Sequence, residues 1–321
     1  MHTLTSSQTN RIEYIDIAKG LGMILVVIGH CINGKTFPGT WINSFHMPLF
    51  FLLSGLCFTE KKYPTFIPFL KKRIKTLLLP CIYFSLLITT LSTLVHGNFT
   101  FQKLINQTLP GALWFVCILF LSEILYYSVL KQSRKKNYTL IFLFSFLLIG
   151  ITLNRIGFKL SHSLCSTFTA TFYYGLGHLL KNNISQLLSN NRKIIFASLT
   201  LCLPGILVLI TNQSINLSEN YIPKPEVLYV IFSISGSLGI LILSSASIFA
   251  PNIKRIILYI GKNTLIILSL HMLFIMFANH YISHIIPNKL LYKILEQIFI
   301  WGLLYFSIEF INRKGKWILG K

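Results

Sequence analysis

The stretch Asp16-Ile-Ala-Lys19-Gly-Leu-Gly-Met-Ile-Leu-Val-Val-Ile-Gly-His30 decides how this chain is read. Apolar residues dominate Leu21–Ile28, with glycines between them, as at the start of a membrane span. Yet an ionisable residue stands at each end. Lys19 and His30 are 11 residues apart, which is three helical turns plus roughly 20°, so both share one face. A rise of ~1.5 Å per residue sets them roughly 16 Å apart along it. Asp16, one turn before Lys19, is placed to pair with it at i,i+3. A histidine deep in a span is costly unless it faces a polar cavity, which makes His30 a candidate functional residue. A histidine that packs and bonds to a neighbouring helix is the alternative reading.

Working outward, the same composition continues through all 321 residues, of which 53% are hydrophobic and 12% charged. That is too apolar for a soluble domain, and the apolar runs are long enough to cross a bilayer. Ten spans are expected, near 17–35, 41–58, 76–96, 111–130, 138–154, 164–181, 194–212, 227–249, 264–282 and 290–311. The fold class is therefore an all-α, polytopic membrane bundle. The net charge of +21 would suggest a nucleic-acid partner if it lay on a soluble surface. Instead the basic residues cluster between apolar runs. With the N-terminus taken as cytoplasmic, 22 of the 29 Lys and Arg fall on the inner side. The bias holds loop by loop and predicts both termini inside, in a multi-pass protein of the cell membrane.

The first ten residues are polar and lack an apolar core, so no cleavable signal is expected. The longest outer loops, near 97–110 and 213–226, are rich in Asn, Ser, Thr and Pro, and none is long enough for a separate domain. The six cysteines lie in or beside apolar runs without C-x-x-C spacing, and read as small embedded residues rather than a zinc or disulfide framework.

Two further polar clusters stand out. In Phe45-His46-Met-Pro48-Leu-Phe-Phe-Leu-Leu-Ser54-Gly55, Pro48 and Gly55 loosen a helix and free backbone groups to line a cavity. Ser54 either satisfies those groups, bonds a ligand or merely packs. Lys71-Lys72-Arg73-Ile-Lys75 reads as positive-inside anchoring, or as a site for a phosphorylated cytosolic ligand. His280 and His284 share a helical face, but without a nearby carboxylate or cysteine no metal site is expected. Asp16 is the sole aspartate, and Glu123 and Glu309 are the glutamates placed in or near apolar spans. Buried carboxylates of this kind suit a proton-coupled transporter as well as an enzyme.

In their order and spacing these pieces resemble the acyltransferase-3 family of integral-membrane acyltransferases, which includes O-acetyltransferases of cell-surface glycans. The likeness runs from Lys19-x10-His30, preceded by Asp16, through the Phe-His-Met-Pro-Leu-Phe-Phe-x-x-Ser-Gly run at Phe45–Gly55. It continues with the basic stretch before Pro80, Leu113-Trp114-Phe115, Phe172–His178, and Gly261-Lys-Asn263-Thr264 followed by Leu270-His271. It covers nearly the full length, and the small stand-alone form looks like the fucose-4-O-acetylase-like branch. Two departures matter. Lys19 stands where many members have Arg, keeping the charge but losing the bidentate fork. The extracytoplasmic hydrolase-like domain fused to some members is not found after the tenth span.

The resemblance implies one acyltransferase domain over 1–321, with roughly the first 10–15 residues and 312–321 as cytoplasmic ends. It implies an acyl-CoA donor, most often acetyl-CoA, and a glycan or lipid-linked sugar acceptor, with no metal. Lys19, Lys72, Arg73 and Lys75 then face the donor's phosphates, and His30 serves as general base with Asp16 and Lys19 in support. His46, Ser54, Trp114, Asn263 and His271 are the candidates for shaping the acceptor cavity or donating to the developing oxyanion. A packing histidine at 271 and an interfacial aromatic anchor at 114 are the alternatives. The competing function is a multispan transporter or flippase for a glycan precursor or small solute. Inverted repeats would favour it, and none is seen.

Overall fold

The computed structural model describes residues 5–32, 34–96, 113–132, 136–158, 163–188, 192–246, 248–282 and 285–320. The outer loop expected at 97–110, the inner segment around 134–135 and His284 lie outside them. Helices dominate throughout. They are α1 (Thr5–Cys31), α2 (Phe37–Asn43), α3 (His46–Cys57), α4 (Phe66–Arg73), α5 (Leu79–His96) and α6 (Trp114–Gln132). There follow α7 (Lys136–Arg155), α8 (Ser166–Leu180), α9 (Ile184–Leu188), α10 (Lys193–Thr211), α11 (Glu226–Ser245), α12 (Pro251–Lys262), α13 (Thr264–Tyr281) and α14 (Lys289–Lys314). Among the described residues the only β pairing is an isolated bridge between Asn216 and Tyr221.

All ten expected spans fall on helices. Among the described residues, eight of these helical segments are long and apolar enough to cross a membrane. Their outward faces carry large apolar side chains, such as Ile141, Phe144 and Leu148 on α7 and Leu199, Leu209 and Ile210 on α10. Exposed apolar surface on this scale is stable only under lipid. The chain is thus an all-α polytopic membrane protein. The other two expected spans differ in kind. The segment at 41–58 is broken between α2 and α3, and that at 164–181 is the 15-residue α8.

The chain forms two compact units. The first comprises Met1–Phe58, Leu125–Lys159 and Cys165–Thr264; the second comprises Thr59–Ile124, Leu160–Leu164 and Leu265–Lys321. In the first unit, α1, α3 and α11 enclose an apolar core that includes Ala18, Leu49, Leu52, Leu53, Leu56 and Leu241. α3 is buried along nearly all its length, because α8 packs on it backbone to backbone. A Cβ added at Gly55 would strike the Tyr174 carbonyl, and one at Gly177 the Leu52 carbonyl. This reciprocal contact explains why two short helices share the interior: small residues let their backbones meet. Gly55→Val is expected to lower thermal stability by about 1–3 kcal/mol, read from the unfolding of detergent-purified protein.

The connection at 212–225 is tied firmly to α7 and α8. The Asn220 carboxamide donates to the Gly150 carbonyl at 2.9 Å and accepts from Thr169 at 3.1 Å. Asn154 donates to the Ile222 carbonyl at 2.9 Å. Arg155 grips Glu226 through two bonds of 2.7 and 2.9 Å, at the N-terminus of α11 where a carboxylate suits the helix dipole.

In the second unit, α4 runs into α5 through a single π turn, Ile74–Leu78, in which the Leu79 N–H bonds to the Ile74 carbonyl. The Asn288 side chain caps α14 by accepting from the N–H groups of Leu290 and Leu291. Inward positions on α14 follow a four-residue stripe, Glu296, Ile300, Leu304 and Ile308, all buried.

Candidate active site

α1 carries the first three candidates on one rigid element. The Lys19 ammonium lies 3.8 Å from the Asp16 carboxylate, the i,i+3 pairing that their spacing allows. That end of α1 is fixed by α12. A Cβ at Gly20 would strike the Ile257 carbonyl, and one at Gly261 the Asp16 carbonyl. A second strut joins the same helices, with the Lys254 ammonium 2.5 Å from the Glu13 carboxylate. The Gly261-Lys-Asn263 run therefore has a mechanical role: it lets α12 bear directly on the backbone of Asp16. Asn263 closes α12, its amide donating to the Tyr259 carbonyl at 2.8 Å.

At the other end, His30 sits exposed in the last turn of α1. The chain then reverses through α2, where the Ile42 side chain packs over Gly29 and the Ile42 carbonyl bonds His46, so that His46 returns to the His30 end of α1. The reversal is anchored far away in sequence. The Phe45 ring fills the notch left by Gly236 on α11, and the Trp41 indole donates to the Leu201 carbonyl at 3.1 Å. His46 is buried, with Nδ1 3.0 Å from the Ile42 carbonyl. A carbonyl only accepts, so Nδ1 carries the proton and the neutral ring keeps Nε2 as an acceptor. Ser54 donates its hydroxyl proton to the Phe50 carbonyl at 2.8 Å, the back-bond common in membrane helices.

The second unit holds the other candidates. Lys72 and Lys75 are exposed. Arg73 has a structural commitment that its place in the basic run did not reveal. Its Nε lies 2.8 Å from the Glu123 carboxylate, and its guanidinium sits over the rings of Tyr63 and Phe69. Glu123 is thus part of an ion pair, as is Glu309, 3.1 Å from Arg313. Trp114 opens α6 as a buried residue, edge-on to Phe115. His271 is fully buried, with Nδ1 2.8 Å from the Leu268 carbonyl, so its tautomer matches that of His46.

The structure places His30 and the turn that carries His46 at one end of α1, and Asp16 with Lys19 and the end of α12 at the other, all in the first unit together with Ser54. Lys72, Arg73, Lys75, Trp114 and His271 belong to the second. Two buried carboxylates escaped the reading of the sequence. Glu226 pairs with Arg155, and Glu296, 1% exposed in its side chain, pairs with Lys293 at 2.7 Å. The i+4 stripe ending in Ile308 was the signal that would have placed Glu296 inward. Among the described residues no three His, Cys, Asp or Glu side chains converge as a metal site would require.

Length, hydropathy and these inward polar groups define an integral, multi-pass membrane protein built around a histidine-bearing first helix. The chain belongs to the acyltransferase-3 family, whose acyltransferase domain matches residues 12–311, and its class is that of a membrane acyltransferase. It is also similar to the nodulation protein NolL of Mesorhizobium japonicum, with 33% identity over 133 residues. That match covers 36% of this chain and 35% of the NolL chain, so only about a third of that relative is spanned. No solved structure matches.

Proposed function

We propose that the protein moves an acetyl group from acetyl-CoA, supplied at the cytosolic face, to a hydroxyl of a cell-surface glycan or lipid-linked sugar. The observation that carries this reading is the arrangement of α1. A cation at Lys19 and an exposed imidazole at His30 stand on one helix about three turns apart, and Ile42, whose carbonyl bonds His46, packs over Gly29 at the His30 end. That span suits an extended donor whose phosphates lie near one end and whose thioester lies near the other.

In this account His30 accepts the proton of the sugar hydroxyl as its oxygen attacks the thioester carbonyl. The C–S bond then breaks, the same proton passes to the departing thiolate, and an O-acetyl ester and free CoA result. General-base help of this kind is typically worth ~10²–10⁴-fold. The Asp16 carboxylate holds Lys19 in place, and α12 holds Asp16. Membership in an acyltransferase family favours this chemistry over transport.

The donor half of the proposal has a direct test. Lys19→Ala is expected to weaken acyl-CoA binding about tenfold, the scale of one charge-assisted contact. Titration calorimetry with CoA on detergent-purified protein measures it, and an unchanged Kd would remove Lys19 from the donor site.

A further inference from the structure

The family match ends at residue 311, but the chain beyond it is ordered against a particular element. After α14, Lys316–Leu319 form one 3-10 turn, closed by Gly320 in the left-handed region at φ 68°. The Gly320 backbone lies on the Lys75 carbonyl, where an added Cβ would collide with that oxygen. Glycine is therefore required twice over, by dihedral and by contact. Trp317 meets Tyr83 of α5 edge-on at 5.1 Å. Lys75 itself lies in the π turn Ile74–Leu78, an irregularity that commonly marks functional sites.

The surroundings are cationic. Lys71, Lys72, Lys75 and Lys316 are exposed. Among the described residues none of the four has an ion-pair partner. Arg73, by contrast, is committed to Glu123. Lys75 on the braced turn, Lys71 and Lys72 within four residues before it, and Lys316 in the tail that packs on it are exposed ammonium groups that fit the charge of a phosphorylated ligand.

We infer that the C-terminal turn is a working part of a phosphate-binding site. Gly320 fixes the π turn that presents Lys75, and Lys316 adds a cation from the tail. Resting on the reading above, the ligand class is a phosphate ester, either the nucleotide end of acyl-CoA or an anionic phospholipid headgroup. Gly320 acts as a positioning residue, since its backbone supports Lys75 and reaches no ligand.

The test is titration of the detergent-purified full chain with CoA, alongside thermal stability in phosphatidylglycerol and phosphatidylcholine nanodiscs. Gly320→Val is expected to raise the CoA Kd about tenfold. Lys316→Ala, an exposed change that leaves the fold alone, is expected to raise it about threefold. An unchanged CoA Kd with loss of the stabilisation specific to phosphatidylglycerol would assign the same site to a lipid headgroup. If neither readout moves in either variant, the inference is overturned. Tail-dependent CoA binding in a protein that transfers no acyl group would keep this inference and end the acyltransfer reading.

Discussion

Alanine in place of His30 is expected to slow acyl transfer ~10²–10⁴-fold, the usual worth of a positioned general base. CoA binding and thermal stability should hardly change. His30 is accessible at the end of α1, so its removal opens no core cavity, and lost turnover reads as lost chemistry. His46 and His271 are buried, so alanine there would mix packing with function. Glutamine at position 46 is the better companion, since it can still donate to the Ile42 carbonyl. Initial rates with labelled acetyl-CoA, alongside melting curves, separate the two effects. A His30→Ala protein that turns over normally would remove the imidazole from the mechanism.

The second large effect concerns the Arg73–Glu123 pair. The Glu123 side chain is 5% exposed and that of Arg73 20%, at 2.8 Å. Removing one partner strands the other in an apolar setting, at a cost of about 3–5 kcal/mol. Glu123→Ala should therefore lower thermal stability sharply. Arg73→Met combined with Glu123→Leu should recover much of the loss, because desolvating a buried pair is itself expensive. Lys72→Ala should leave stability untouched and weaken CoA binding instead. Should Arg73→Ala keep full stability while CoA binding collapses, Arg73 would be a donor ligand after all. The pairing in the structure predicts the reverse.

The contrast between Arg73 and Lys72 shows where sequence reading stops. Both belong to one basic run, and charge patterning treats them alike. What divides them is which way each side chain turns on α4, and a carboxylate 50 positions later. The long apolar runs were legible because span length follows from bilayer thickness. α3 and α8 were legible as apolar, and the second span as short, but the shortness of α8 was not, since its burial comes from packing on α3. The break before His46 was hidden too. It is set by Phe45 seated against Gly236, almost 200 residues away, and no local propensity encodes that contact. The Asp16–Lys19 pairing could be foreseen because i,i+3 geometry is local. The bracing of Asp16 by Gly261 could not, although both residues were singled out separately. Nor does composition reveal a π turn, which shifts helical register by one residue and leaves the apolar pattern almost unchanged.

The most direct measurement of the central claim is mass spectrometry of a membrane-glycan extract incubated with isotope-labelled acetyl-CoA and purified protein. The account predicts labelled acetyl esters on sugar hydroxyls with the wild-type protein, and their near absence with His30→Ala. Label on the glycan at equal levels with both proteins would contradict the role given to His30. A wild-type protein that neither binds acetyl-CoA nor labels any glycan would contradict the proposed reaction itself.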